Sequence, residues 1–350
     1  MEGRRNFIRK GLLGMAATTL AGIGTALPAL EAVSVNHPQS TGDLKKIPGG
    51  LWSVMLTPFR DNLAIDNPAL EKLTEFYIGT GANGLFANCA SSEMYELSPE
   101  ERLQIIRTTL KIAEGKVPVV ASGTFTHSVN QNAEFIKQVH DTGVDAVVLI
   151  SSIIARRDEN DDKLKQKIEQ LLKLTGNIPL GIYECPSPYK RLLSPELMKW
   201  LGESGRFVYH KDTSCDPDAI RLKIKAVEDT SLSFFNADTP TALSSLQDGG
   251  AGLSPIAANC HPELYVELIK MVNRRENSER LSWLNARLTV MDGTAGMMYP
   301  LLAKVFLQLR GLPIKPISRR RRAGGITKDA YLRMKALKDM FEDTMIQLKG

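Results

Sequence analysis

The sequence has 350 residues, of which 43% are hydrophobic and 24% are charged, a balance typical of globular proteins. Its net charge of +5 is too small and too dispersed to indicate a nucleic-acid-binding protein. The length would allow two domains, although α/β barrels of this size commonly form a single unit.

The N-terminal residues have the pattern of a processing segment. Arg4 and Arg5 precede an aromatic residue and further basic residues, and then a mildly apolar, glycine- and alanine-rich run over residues 11–30. This pattern is typical of a twin-arginine export signal, which we predict over residues 1–32, although a short amphipathic or anchoring helix would also fit. Residues 33–48 have the composition of a linker. We expect an exported protein, periplasmic or otherwise outside the cytoplasm, without a membrane span in the mature chain.

From residue 49 onward, short apolar runs alternate with amphipathic stretches. The predicted strands cover residues 51–56, 84–87, 117–122, 146–150, 180–183, 208–211, 233–236 and 252–256. The predicted helices cover residues 67–80, 98–114, 128–142, 160–175, 194–203, 216–228, 239–248 and 260–275. This alternation predicts an α/β fold, a (β/α)8 TIM barrel over residues 49–278. A doubly wound open sheet is the alternative, but no glycine-rich phosphate loop follows the first run.

After the barrel the pattern changes to helices alone. We predict helices at 279–291, 294–310 and 327–347, which form a C-terminal helical extension over residues 279–350 without a core of its own. The loop before the last helix contains four arginines at 319–322. A charge run in a loop is usually solvated, and a bound anion or acidic partner is the alternative.

Four cysteines are spread along the chain, at positions 89, 185, 215 and 260, with no CxxC pair. Each follows a predicted strand, so a barrel would bring all four near one rim. We expect buried free thiols, with one disulfide or a metal cluster as alternatives.

The sixth predicted strand ends in a lysine, Lys211. Alternation along a strand would place Phe207, Tyr209 and Lys211 on one face, with Lys211 at the carboxyl end, where barrel active sites lie. Burial lowers the pKa of an amine, and a neutral amine can attack a carbonyl to form a Schiff base. The alternative is a lysine that simply reaches solvent at the strand exit.

The fifth predicted strand ends in a tyrosine, Tyr183. If this residue faces the barrel interior, its phenol and the Lys211 amine project from neighbouring strands about 4.8 Å apart. Schiff-base chemistry needs such a pair, because the amine makes the covalent link and a hydroxyl carries protons. A tyrosine alone would more often be a packing residue. The same alternation turns Glu184 and His210 away from the pocket, so neither is a predicted site residue.

The segment at the end of the second predicted strand reads Asn88-Cys89-Ala90-Ser91-Ser92-Glu93. Small residues ahead of a helix can present backbone N–H groups and hydroxyls to a carboxylate. A plain turn would have the same composition.

Residues 50–259 resemble the dihydrodipicolinate synthase and N-acetylneuraminate lyase family, Schiff-base aldolases built on a (β/α)8 barrel. The matching segments are Leu56-Thr57-Pro58-Phe59, residues 84–93 with Leu97-Ser98, Tyr183-Glu184-Cys185-Pro186, Lys211-Asp212-Thr213-Ser214 and residues 252–259. The resemblance implies that Lys211 forms an imine with a 2-oxo acid and that Tyr183 shuttles protons. It also implies that the loop at Ala90 and Ser91 holds the substrate carboxylate and that the protein is a homo-oligomer, tetramer or dimer.

The sequence departs from the family pattern at three positions. Ala90 lacks the first hydroxyl of the family's loop, and Ile154 stands where the synthases carry the second tyrosine of their proton relay. Pro188 takes the place of the arginine that holds a distal carboxylate, although Lys190 or Arg191 could substitute for it. The residues that would form the imine are therefore retained, and those that would bind the second substrate are altered.

We therefore expect a Schiff-base aldolase or lyase that makes or breaks a carbon–carbon bond in a 2-oxo acid, pyruvate-type or derived from a sugar acid. No metal or organic cofactor is needed, because the protonated imine accepts the electron pair. The alternatives are a 4-hydroxy-tetrahydrodipicolinate synthase or N-acetylneuraminate lyase proper, and a non-catalytic ligand-binding barrel. Lysine biosynthesis would be an unusual task for an exported protein.

Overall fold

A computed structural model describes residue 44, residues 46–320 and residues 325–349. The strands are β1 Gly50–Val54, β2 Gly84–Asn88, β3 Val119–Ser122, β4 Ala146–Ile150, β5 Leu180–Tyr183, β6 Phe207–Asp212, β7 Ser233–Asn236 and β8 Gly252–Leu253. The helices are α1 Asn67–Gly79, α2 Pro99–Ala113, α3 Val129–His140, α4 Ser151–Ile154, α5 Asp161–Leu174, α6 Pro195–Glu203, α7 Pro217–Val227, α8 Ala242–Gln247, α9 Pro262–Asn273, α10 Ser278–Ala295, α11 Leu301–Leu309 and α12 Lys328–Lys349.

The eight strands form a closed parallel barrel in sequence order, and β8 pairs with β1 to complete it. Parallel neighbours require a crossover, and the helices between the strands provide one in each unit. The prediction of an α/β fold with a (β/α)8 TIM barrel is therefore confirmed. The carboxyl ends of all eight strands meet at one rim, where the predicted site residues lie.

Large aromatic side chains fill the inside of the barrel, and glycines on neighbouring strands leave room for them. A Cβ atom on Gly84 would lie 2.4 Å from the Trp52 ring, and one on Gly181 would lie 2.9 Å from the backbone oxygen of Tyr209. Trp52 and Tyr209 are completely buried. Because interiors are packed to crystal-like density, these two glycines are required by their neighbours.

Strand β6 differs from its predicted alternation. The register between β5 and β6 pairs Leu180 with Phe207 and Gly181 with Tyr209, so one extra residue, Val208, is inserted in β6. Phe207 consequently packs in the outer hydrophobic cluster, whereas Tyr209 packs inside the barrel. The prediction that Phe207 shares a face with Tyr209 was wrong, because an inserted residue shifts the two-residue period by one position.

The segment after the barrel packs onto it. Leu284 of α10, Leu302 of α11 and Phe341 of α12 belong to the same hydrophobic cluster as the outer faces of the barrel strands. A helix was predicted to begin at residue 294, but α11 begins only at Leu301. A helix spanning residues 294–310 would have Pro300 in its interior, where proline lacks the N–H of the helical hydrogen bond.

Residues at the N-terminal side of β1 lie against the opposite end of the barrel. Ile47 is buried in the inner cluster, and its carbonyl accepts a hydrogen bond from Ser233 Oγ at 3.3 Å. Most of the predicted linker over 33–48 and the whole predicted signal over 1–32 lie outside the described residues. No helix in the described ranges has the length and apolar character needed to cross a membrane.

All four cysteines are free in the structure. Cys89, Cys185 and Cys260 are buried, as predicted, and Cys215 is exposed. The prediction was wrong for Cys215 because this residue lies beyond the end of β6, on the loop that leads to α7.

Candidate active site

Lys211 and Tyr183 lie side by side at the carboxyl rim of the barrel. The two residues are directly paired in the register of β5 and β6. Lys211 Nζ is 4.9 Å from the centre of the Tyr183 ring, and the two side chains are only 2% and 4% exposed. The sequence predicted this juxtaposition, which places an amine and a phenol in one pocket shielded from solvent.

The aromatic layer beneath Lys211 keeps its amine out of water. Tyr209 stacks on Phe235 with ring centres 4.9 Å apart and contacts Trp52 at 5.1 Å. No carboxylate within the described ranges forms an ion pair with Lys211. Burial therefore lowers the pKa of Lys211 to about 8, and the nearby thiols of Cys89 and Cys185 only partly oppose this shift.

Tyr183 is held as a protonated phenol. Its ring packs edge-on against Phe86 at 5.8 Å, and burial raises its pKa well above the ordinary value. Its hydroxyl is hydrogen-bonded to the Cys185 side chain. The Tyr95 hydroxyl lies 3.9 Å from the same sulfur and donates to the Ser187 carbonyl at 2.8 Å. Sequence analysis did not assign Cys185 to the site, although two-residue alternation from Tyr183 would have placed it there.

The residues that alternate with the site face the outside of the barrel, as predicted for Glu184 and His210. There the Lys223 ammonium, on α7, donates to Glu184 at 2.5 Å and to Asp212 at 2.7 Å. Glu184 also accepts from the backbone N–H of Thr213 at 3.0 Å, which joins the ends of β5 and β6. Ligand atoms of Glu184, His210 and Asp212 lie within 4.8 Å of one another. Because Lys223 already balances the two carboxylates, we interpret this set as a structural ion-pair network.

The loop predicted to hold the substrate carboxylate forms a short 3-10 turn, Ala90–Ser92, directly after β2. Ser91 is 2% exposed and is hydrogen-bonded to the Tyr299 hydroxyl, which also accepts from Asn259 Nδ2 at 2.7 Å. Ala90 and Ser91 lie at the same rim as Lys211, but they do not line the cavity that contains Lys211 and Tyr183. Their carboxylate-binding role stays a prediction. Tyr299 could not be recognised from the local pattern, because this residue is about two hundred positions away from the loop.

The segment after the barrel anchors this loop through Glu93. The Glu93 carboxylate accepts from Lys304 Nζ at 2.9 Å, from Ser318 Oγ at 2.7 Å and from the backbone N–H of Arg320 at 3.0 Å. Both Glu93 and Lys304 are completely buried. A buried charge requires such partners, so the loop is fixed by contacts that the sequence pattern does not reveal.

Arg319 and Arg320, the described part of the arginine run, form ion pairs with the protein. The prediction of solvated charges was wrong for the partly buried Arg319, whereas Arg320 is exposed. Arg319 forms a two-pronged ion pair with Glu101, with both contacts at 2.7 Å. Arg320 donates to the Ala90 carbonyl at 3.1 Å and pairs with Glu96 at 3.2 Å. Residues 321–324 lie outside the described part. The acidic residues ahead of and within α2 therefore supply the partners of these two arginines.

A cavity of ≈ 240 Å³ opens beside Lys211 and Tyr183. It is lined by Tyr183, Pro186, Lys190, Lys211, Thr213, Cys215, Ala237, Asp238, Thr239, Ile256 and Asp292. Of the two proposed substitutes for the missing arginine, only Lys190 lines the cavity. The Arg191 guanidinium is bound elsewhere, to Glu159 O at 2.7 Å and to Asp161 at 2.9 Å. Ile154, at the position of the relay tyrosine, is buried in the outer cluster.

Comparison with known proteins decides the family. The sequence model of the Dihydrodipicolinate synthetase family matches residues 47–338, which is most of the chain. The chain belongs to this family. The 4-hydroxy-tetrahydrodipicolinate synthase of Methanosphaerula palustris is 26% identical over 270 residues, covering 77% of this chain and 91% of that protein. The enzyme of the same name from Anaplasma marginale is 26% identical over 222 residues, covering 63% and 72%.

Solved structures of Dihydrodipicolinate synthetase family members share this fold. The dihydrodipicolinate synthase of Acinetobacter baumannii, solved with pyruvate, has a TM-score of 0.75 and 22% identity, covering 85% of this chain and 99% of that one. YagE, a prophage protein of the family from E. coli K12 also solved with pyruvate, has a TM-score of 0.76 and 20% identity, covering 84% and 98%. The predicted family is therefore confirmed, whereas the oligomeric state stays a prediction.

Proposed function

We propose that this protein is a Schiff-base aldolase or lyase that binds a 2-oxo acid as an imine on Lys211. The observation that carries the proposal is the buried Lys211 amine 4.9 Å from the centre of the Tyr183 ring. An amine with a pKa of about 8 is partly neutral near physiological pH, and only the neutral form attacks a carbonyl. Membership of the Dihydrodipicolinate synthetase family supports this assignment, since two of its solved members hold pyruvate.

The chemistry follows from these two groups. The Lys211 amine adds to the keto carbon, and loss of water from the carbinolamine gives a protonated imine. In cleavage, the protonated imine at C2 accepts the electron pair of the C3–C4 bond, while the C4 hydroxyl loses its proton and leaves as an aldehyde carbonyl. In condensation, loss of a C3 proton gives the enamine, which attacks an aldehyde carbonyl to form that bond. Tyr183 transfers the protons that dehydration and the substrate carbon require. We assign the substrate carboxylate to Ser91 and the neighbouring amides.

The altered positions support a substrate other than that of the named synthases. Ala90 and Ile154 provide no hydroxyl, and Pro188 provides no cation for a distal carboxylate. A synthase proper would need other groups in both roles. A non-catalytic barrel would have no need of an amine kept dry by an aromatic layer, a costly arrangement unless the amine reacts.

Borohydride trapping tests the proposal directly. Incubation with pyruvate and borohydride should add one reduced pyruvate adduct per chain, and peptide mapping should locate it at Lys211. Lys211→Met should abolish the adduct, whereas Lys190→Met, which removes the other lysine of the same cavity, should keep it. An adduct on Lys190, or none on the wild type, would contradict the proposal.

The rate of trapping at different pH values gives a second readout of the same experiment. It should rise with pH, reach half of its maximum near pH 8 and level off above about pH 9, because the pKa of Lys211 is lowered to about 8 from its ordinary value of 10.5. A rate that keeps rising beyond about pH 9 would indicate an ordinary, solvated lysine.

We also propose that the protein is exported through its twin-arginine segment. The support is the pair Arg4-Arg5 ahead of the mildly apolar run at 11–30. Expressed in a bacterium with a twin-arginine export system, the wild type should be found in the periplasmic fraction. The variant with both Arg4→Lys and Arg5→Lys, which keeps the charge, should stay in the cytoplasm. Equal export of the two proteins would refute the proposal.

A further inference from the structure

One carboxylate in the cavity beside Lys211 has no part in forming the imine. Asp292, on α10, lines this cavity together with Lys211 and Tyr183. The other acid of the cavity, Asp238, has three internal partners. Its Oδ2 accepts from the Thr241 hydroxyl at 2.7 Å and from the Thr241 backbone N–H at 3.2 Å, and its carboxylate is hydrogen-bonded to the Cys215 side chain. Asp292 is therefore the acid more available to a ligand.

A hydrogen bond fixes one oxygen of the Asp292 carboxylate and leaves the other oxygen available to a ligand. The Thr239 hydroxyl donates to Asp292 Oδ1 at 2.8 Å and lies 2.8 Å from the buried Tyr265 hydroxyl. Among the residues that the structure describes, Asp292 Oδ2 has no hydrogen-bond partner and no basic side chain forms an ion pair with the carboxylate. An acceptor that is held in place but half satisfied is suited to a hydrogen-bond donor on a ligand.

The charges around the cavity restrict the chemistry of that donor. A second carboxylate would be repelled by Asp238 and Asp292. The Lys190 ammonium, which could attract it, already donates to the Thr213 carbonyl at 2.6 Å. Burial and then the charge of Asp238 already raise the pKa of Asp292, although the Thr239 hydrogen bond opposes this shift. An ammonium would share ≈ 240 Å³ with the Lys211 imine cation and the Lys190 ammonium. A hydroxyl group carries neither penalty.

We propose that Asp292 is a specificity-determining residue, which accepts a hydrogen bond from a hydroxyl group of the 2-oxo acid beyond the keto carbon. The inference rests on the proposed function, since it requires the 2-oxo acid to be held on Lys211. Because Asp292 lies on α10, the segment after the barrel would take a direct part in the choice of substrate.

Competitive trapping tests this assignment with two defined probe acids. The full-length protein is equilibrated with equal amounts of 2-oxopentanoate and 4-hydroxy-2-oxopentanoate, reduced with borohydride and weighed as intact protein. The two adducts differ by one oxygen atom, and any pyruvate adduct left by cleavage is counted with the hydroxylated acid. In the wild type the hydroxylated acid should predominate by about tenfold or more, as expected for a hydrogen bond to a charged group.

The variants decide whether Asp292 causes the preference. Asp292→Ala should bring the two adducts close to parity, while Glu279→Gln, which removes a carboxylate from the exposed start of the same helix, should keep the wild-type ratio. If Asp292→Ala fails to fold and forms no adduct, Asp292→Asn, which keeps the shape without the charge, should show a reduced preference. Near-parity in the wild type, or an unchanged preference in a folded Asp292 variant, would overturn the inference. Absence of any adduct on the wild type would instead overturn the proposed function.

Discussion

Replacing Tyr183 with phenylalanine is expected to slow exchange of the pyruvate methyl protons with solvent deuterium by about 10²–10⁴-fold, the usual contribution of a positioned acid–base group. Exchange requires the imine to lose and regain a proton at the carbon next to the keto group, and Tyr183 is a buried hydroxyl beside Lys211. The phenylalanine ring can keep the edge-on contact with Phe86 at 5.8 Å, so the pocket should keep its shape. Proton exchange is followed by NMR and needs no aldehyde substrate.

A control variant tests whether the effect is specific to the Tyr183 hydroxyl or would follow the loss of any tyrosine hydroxyl inside the barrel. Tyr209→Phe removes a hydroxyl that contacts Ser254 Oγ at 3.3 Å in the packed layer below, and it should slow exchange far less. Both variants should still form the borohydride-trapped adduct on Lys211. Exchange within a few-fold of the wild type in Tyr183→Phe would assign proton transfer to another group, with the Cys185 thiol as the first candidate.

The sequence predicted that Tyr183 and Lys211 lie together because local alternation is enough to place both side chains inside the barrel. Tyr183 and Lys211 end buried strands that are consecutive in sequence, and consecutive strands of a barrel are paired. The same reasoning failed for Phe207, because one inserted residue in β6 cannot be recognised from hydrophobic periodicity. Local alternation therefore predicted the face of Tyr183 and Lys211 correctly, but not the face of Phe207, which lies before the inserted residue.

The rest of the site depends on contacts between distant parts of the sequence. Lys304 pairs with Glu93 across 211 positions, and Thr239 binds Asp292 across 53 positions. No periodicity within either segment specifies which surfaces meet, since that depends on how helices outside the barrel pack onto its rim. A single sequence therefore indicates the reaction centre and leaves the groups that select the substrate unassigned.

The contacts of Glu93 and Asp292 suggest a common role for the segment after the barrel. Its Lys304, Ser318 and Arg320 fix the loop that we assign to the substrate carboxylate, and its Asp292 lines the cavity beside Lys211. Both ends of a bound 2-oxo acid would then depend on this segment, although Lys211 and Tyr183 belong to the barrel strands. On these proposals, catalysis and substrate choice would depend on different parts of the fold.

The buried ion pairs of Lys223 should have a large effect on the free energy of unfolding. Replacing Lys223 with methionine is expected to lower the free energy of unfolding by about 3–5 kcal/mol at neutral pH, the cost of removing one partner from a buried ion pair. Methionine fills much of the same volume, but Glu184 and Asp212 would remain completely buried without their counter-charge. Lys225→Met on the same helix is the matched control. It removes an exposed pair with Glu228 and should leave the free energy of unfolding nearly unchanged.

The pH dependence distinguishes this electrostatic cause from lost packing. Desolvation opposes ionisation of Asp212, yet His210 and Lys223 outweigh it and hold the pKa of Asp212 well below its usual range. In the wild type this carboxylate therefore stabilises the fold above the unfolded-state pKa of about 4, and the contribution is lost as the pH falls through the folded-state value. In Lys223→Met the pKa of Asp212 should rise, so protonation at low pH would relieve the penalty. Denaturant titrations of both proteins should therefore show a stability gap that is widest near pH 7 and narrows below about pH 4. A gap that stays constant with pH would indicate that packing, rather than charge, makes Lys223 necessary.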